Sequence, residues 1–124
     1  MAEPLALLLY ERLLPGGQLV NHLQDRGYRV QTVTDPAGLV QAAEEYKPLL
    51  AFVDVAPHAE QVCSEVNRLK ANASTAHIPV IAIAPATDNK IHDAARAAGA
   101  KLVVADNAIL VHLDQFLEQA LQID

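Results

Sequence analysis

The sequence predicts an α/β fold, a five-stranded parallel sheet in the order 2-1-3-4-5 with helices on both faces. Three observations carry this expectation. Short apolar runs alternate regularly with longer amphipathic stretches along the whole chain. Several of the short runs are unbroken apolar stretches rather than period-two patterns, as suits strands covered on both faces. The intervening segments, roughly 12 to 25 residues, are long enough for one right-handed crossover helix each.

The expected strands are Leu5–Leu9, Tyr28–Val33, Leu49–Asp54, Pro79–Ala84 and Lys101–Ala105. The first helix, about Gly16–Arg26, sets Leu19, Val20 and Leu23 on one stripe, and Gly27 closes it in a left-handed conformation. Asp35-Pro36 opens the second helix, with a capping side chain ahead of a proline whose fixed φ suits the first helical position. Leu39, Val40 and Ala43 form its buried stripe. The third helix, about Ala59–Ala71, repeats Val62, Val66 and Leu69 on one face. The fourth, about Asn89–Ala98, presents Ile91, Ala94, Ala95 and Ala98 and ends at Gly99; its small face lets it lie close to the sheet. The last, about Ala108–Leu121, carries Ile109, Leu113, Phe116, Leu117, Ala120 and Leu121.

Composition narrows the function. The 124 residues are 52% hydrophobic and 19% charged, and nine Lys and Arg against fifteen Asp and Glu give a net charge of −6. That length fits one domain, residues 1–124, burying roughly two-thirds of its unfolded surface. No apolar run approaches the roughly 20 residues of a membrane span, and Glu3 stands where a secretory signal has its basic segment. Lone Cys63 excludes an internal disulfide and a thiolate metal cluster. The acidic balance argues against direct nucleic-acid binding. A soluble, cytoplasmic domain with no membrane or nucleic-acid partner is expected.

In parallel sheets of this kind the functional crevice lies beyond the carboxyl ends of the strands. The residues there are Tyr10 and Glu11, Thr34, Asp54, Ala84 and Pro85, and Asp106. The turn after the first strand, Glu11-Arg12-Leu13-Leu14-Pro15-Gly16-Gly17, has neither a dinucleotide fingerprint nor a phosphate loop. Cys63 falls inside a helix and reads as a small hydrophobe. The histidines lack metal-ligand spacing; His77 reads as a loop residue, and His58, after Pro57, reads as a solvated loop residue with lining of the crevice as the alternative. Asp54 ends an otherwise apolar strand, where a charge is costly without a partner or a purpose. With Glu11 at the neighbouring strand end, two readings stay open: hard oxygen ligands for a divalent cation, or caps for loop amides.

The order of elements and several strings resemble the response-regulator receiver family, the chemotaxis-protein-Y-like domains, over about Pro4 to Leu121. The carriers are Arg26-Gly27-Tyr28-Arg29-Val30, Tyr46-Lys47-Pro48-Leu49-Leu50-Ala51-Phe52-Val53-Asp54, Arg68-Leu69-Lys70, Thr75-Ala76-His77-Ile78-Pro79-Val80-Ile81 and Ala97-Ala98-Gly99-Ala100. The resemblance implies a flavodoxin-like fold and a place in bacterial two-component signalling, a phosphorelay, with a histidine kinase or output protein as partner. It also implies phosphoryl acceptance at Asp54, with Mg²⁺ held by Asp54 and an acidic pair after the first strand.

Against that pattern the pair position reads Tyr10-Glu11, leaving Glu11 and Asp54 as the metal candidates. The family's hydroxyl residue ending strand four appears as Ala84, its aromatic switch residue as Val103 and its lysine ending strand five as Asp106. The segment Val55-Ala56-Pro57-His58 is one residue shorter than the family's loop. Two carboxylates about 5 Å apart at an effective dielectric near 20 repel by roughly 3 kcal/mol, enough to disfavour a further anion. The sequence thus describes a pseudo-receiver: a non-enzymatic protein–protein interaction module with no required cofactor and most of the phosphorylation machinery gone. Its candidate contact surfaces are the alanine-rich fourth helix and the Ile109, Leu113, Phe116 and Leu117 stripe of the last, though those stripes equally serve a core. A homodimer through the helix 4–strand 5–helix 5 face is the corresponding self-association. Two other expectations stand beside this one: a weak Mg²⁺-dependent acceptor at Asp54, and a small-ligand-binding flavodoxin-like domain.

Overall fold

A computed structural model describes residues 4–10 and 13–121. Among the described residues, five strands and five α-helices alternate: β1 (Leu5–Leu9), α1 (Leu13–Asp25), β2 (Arg29–Val33), α2 (Leu39–Tyr46), β3 (Leu50–Asp54), α3 (Ala59–Ala71), β4 (Val80–Ala84), α4 (Asn89–Ala98), β5 (Leu102–Ala105) and α5 (Leu113–Ala120). The strands form one sheet in the order β2-β1-β3-β4-β5, and every neighbouring pair is parallel. This is the parallel sheet expected from the alternation, in the order usual for such folds.

Where observed elements depart from expectation, the cause is local. α1 begins at Leu13, three residues before the expected start at Gly16, so Pro15 falls in the first turn. A proline is tolerated there because the first N–H groups of a helix have no intrahelical acceptor. Asp35-Pro36 opens a 3-10 turn, Pro36–Gly38, rather than α2 itself; the Asp35 carboxylate accepts the Ala37 N–H at 3.0 Å. A second 3-10 turn, Ala56–His58, precedes α3. The last helix starts five residues later than expected, because residues 106–112 run as successive turns.

The core is two layers, one on each side of the sheet. Leu7, Leu9, Ala51, Val53, Val80 and Ala82 face α2, α3 and α4. Ala6, Leu8, Leu50, Phe52, Ile81 and Ile83 face α1 and α5. β3 and β4 are buried throughout, which is why their sequences read as continuous apolar runs rather than alternations.

Two devices close the helix ends. Gly99 ends α4 at φ +119°, a backbone angle open to glycine, with its N–H donating to Arg96 O at 3.1 Å. Lys70, at the end of α3, lays its stem beside Gly99 and donates its ammonium to the carbonyls of Ala76 and Ile78. It thereby ties α3 to the segment that leads into β4.

Candidate functional site at the carboxyl ends of the strands

Asp54 is the last residue of β3 and is buried, 4% exposed. It is in register with Ile83 of β4, which is in register with Val104 of β5. Val55, just beyond it, donates its N–H to Ile83 O at 3.0 Å and so keeps the strand end paired. Among the described residues no buried side-chain nitrogen or oxygen lacks a hydrogen-bond partner, so Asp54 is accommodated in the folded state. Tyr10, one residue past the Leu9–Val53 pair, stands at the adjacent end of β1 and is half-buried. Glu11, the other metal candidate, lies outside the described residues.

The hydroxyl and lysine positions also stand at this end of the sheet. Ala84 pairs with Ala105, and Asp106 donates its backbone N–H to Ala84 O at 2.9 Å. Ala84 is fully buried and has only a methyl group to offer an anion. Asp106 follows Val104 by two residues and opens the turn just past β5. Two strand spacings across and two residues along separate the two backbones by about 12 Å. Unit charges at that separation repel by about 1.4 kcal/mol at an effective dielectric of 20, and carboxylates that reach toward one another repel by more. Val103, in register with Ala82, is half-buried against the α2–α3–α4 layer.

Lys101 is the cation nearest in sequence to the missing lysine, and it does not take its place. Its N–H donates to Val80 O at 2.9 Å, at the amino-terminal edge of the sheet. About 13 Å of strand separates it from Ala105. Its positive charge is felt instead by Lys70, whose ammonium is pushed below its ordinary pKa first by burial and then by Lys101.

The β4–α4 turn holds a residue to which the sequence reading assigned no role. The His92 ring, in the second turn of α4, places Nε2 at 2.9 Å from the Pro85 carbonyl oxygen. Asp88 donates its N–H to the same oxygen at 3.1 Å, and its carboxylate caps α4 by accepting the Ile91 N–H at 3.1 Å. An Asp ahead of an amphipathic run was a legible capping signal. A histidine reaching back seven residues to a carbonyl has no sequence signature.

The remaining candidates separate clearly. Ile109, Leu113 and Leu117, 0%, 1% and 7% exposed, are core residues against the α1 side of the sheet, so that stripe faces inward. Phe116 is half-buried, with its ring set edge-on to His112 at 6.2 Å between centroids. Cys63 is half-buried beside an open groove of about 520 Å³ between α3 and α4, and burial pushes its thiol pKa up, away from reactivity. His58 is exposed at the start of α3. No group of three or more His, Cys, Asp or Glu able to hold a metal ion exists among the described residues. No helix among the described residues is long and apolar enough to cross a membrane.

No family model and no curated protein matches the chain. Solved structures do. The chain is similar to the receiver domain of a sensor histidine kinase from Pseudomonas aeruginosa, described with magnesium coordinated in its active-site cleft. Identity is 20%, the TM-score is 0.86, and 97% of this chain and 98% of that one are covered. It is also similar to the signal receiver domain of a DNA-binding response regulator from Colwellia psychrerythraea, at 18% identity and TM-score 0.81 over 94% and 97% of the two chains. A third similar structure is the signal receiver domain of a modulated diguanylate cyclase from Desulfovibrio desulfuricans, at 23% identity and TM-score 0.79 over 97% and 94%. With the 2-1-3-4-5 parallel sheet and the buried aspartate ending its third strand, these likenesses show that the chain has the receiver fold of response regulators.

Proposed function

We propose that this chain is a pseudo-receiver of two-component signalling, a non-catalytic module that works through protein–protein contacts rather than conventional aspartyl phosphorylation. The observation that carries the reading is the strand end around Asp54, where Ala84 and Asp106 stand in place of a hydroxyl donor and a cation. Phosphoryl transfer relies on positioning and on positive charge set against developing negative charge. Ala84 supplies no donor, and Asp106 supplies charge of the wrong sign. Lys101, at the opposite edge of the sheet, does not compensate. The partner expected from the fold is a histidine kinase or an output protein, with Phe116 and the exposed alanines of α4 as the contact candidates.

A second reading, weak Mg²⁺-dependent acceptance at Asp54, is favoured by one observation: Asp54 keeps its place in a fold whose Pseudomonas neighbour is described with magnesium in the cleft. Incubation with acetyl phosphate, or with beryllofluoride and Mg²⁺, separates the two. The first reading expects no added mass and no Mg²⁺-dependent spectral change. An adduct that disappears in Asp54→Asn refutes it and establishes the second.

A further inference from the structure

The turn between β4 and α4 is closed by the helix that follows it. Pro85 is the first residue after β4, and its carbonyl accepts two hydrogen bonds, from the Asp88 N–H at 3.1 Å and from the His92 ring at 2.9 Å. A carbonyl has no proton to give, so His92 Nε2 must carry the hydrogen. His92 is tied at its backbone as well, its N–H donating to Asp88 O at 3.2 Å. The Asp88 carboxylate then holds the Ile91 N–H. On the strand side, Ala84 O is engaged by the Asp106 N–H at 2.9 Å. The turn from Pro85 to Asp88 is thus closed by a backbone hydrogen bond, and α4 adds the His92 ring to the same carbonyl. His92 and Asp88 are half-buried, so these bonds are partly shielded from competing water.

We propose that His92 is a positioning residue, a latch that holds the β4–α4 turn in one conformation and presents the start of α4 in the same way whatever happens at Asp54. The functional meaning of the latch rests on the pseudo-receiver reading: where Ala84 cannot answer to an anion, the turn beside it has no signal to relay and is held still. Its geometry stands independently of that reading.

Hydrogen exchange of backbone amides by NMR tests the latch in the whole chain. In His92→Ala and His92→Asn the Asp88 amide should exchange about fivefold faster, the equivalent of one typical hydrogen bond. His92→Gln should keep exchange within about twofold of wild type, since its terminal amide nitrogen reaches where Nε2 sits. Long-range proton–nitrogen correlation on the wild type, with the ring neutral, should place the hydrogen on Nε2. Equal exchange in all variants, a Gln variant as fast as Ala, acceleration spread through β1 to β3, or a proton on Nδ1 each overturns the latch. Beryllofluoride with Mg²⁺ keeps the two proposals apart. An adduct that leaves Asp88 exchange unmoved refutes the pseudo-receiver reading and supports the latch, whereas an adduct that shifts it overturns both.

Discussion

Restoring the two missing groups should convert Asp54 into an anion acceptor. In the Asp106→Lys, Ala84→Thr variant, position 106 changes by two charge units at a backbone separation of about 12 Å from Asp54. At an effective dielectric near 20 each unit is worth about 1.4 kcal/mol toward a second anion there, so the exchange gives about 2.8 kcal/mol, or two decades in affinity. The threonine hydroxyl, replacing the buried Ala84 methyl beside the strand end, adds a hydrogen bond to a charged group, typically about 1.5–3 kcal/mol. Together these predict beryllofluoride binding tighter by about three to four decades in the double variant. The chain has no tryptophan, so the readout is fluorine NMR or intact mass after acetyl phosphate rather than indole fluorescence. Asp54→Asn in the double-variant background should abolish the gain. A wild-type chain that binds as tightly as the variant, or a gain below about tenfold, would refute the electrostatic reasoning.

Other perturbations report on the parts of the fold that hold this strand end. Gly99→Ala combines a strained φ of +119° with a Cβ only 2.8 Å from Lys70 Cγ; a loss of about 1–3 kcal/mol is expected by thermal unfolding. Truncating Lys70 to Ala in that background should relieve the contact but not the backbone strain. Leu113→Ala should cost about 2–5 kcal/mol in urea denaturation, and Phe116→Ala clearly less, because Leu113 is 1% exposed and Phe116 is half-buried. Asp88→Ala removes the α4 cap and should cost about 1 kcal/mol. Arg26 hydrogen-bonds the Asp114 carboxylate and holds its pKa below the ordinary 3.8. The unfolded chain therefore binds this proton first, and the pair's contribution is present above about pH 4 and fades as the pH falls further. Asp114→Asn should flatten that part of the acid-unfolding profile, by a small amount because the carboxylate is exposed.

Strands and helix faces were legible because they depend on burial periodicity and turn chemistry, both local in sequence, whereas the sheet order was expected as the usual one for this fold class. The runs Leu50–Asp54 and Val80–Ala84 advertised two-sided burial, and Gly99 announced the end of α4. The start of α5 was not legible. Ala108 to His112 has an acceptable helical pattern, yet the chain spends it in turns that bury Ile109 beneath the sheet edge. The same ambiguity left two readings of Ile109, Leu113 and Leu117, contact or core, since an apolar stripe looks alike in either role; burial places all three in the core.

Residue type alone determined what the strand end lacks: a methyl at position 84 and a carboxylate at position 106 hold those properties in any conformation. Distance and direction were tertiary matters. Strand register set the Asp54–Asp106 backbone separation at about 12 Å. Pairing with Val80 sent Lys101 to the far edge of the sheet, and the curl of the turn into α4 brought His92 back onto Pro85. Charge and hydrogen-bond capacity belong to single side chains, whereas their effect depends on distance and direction, so only the folded backbone decides which of them meet.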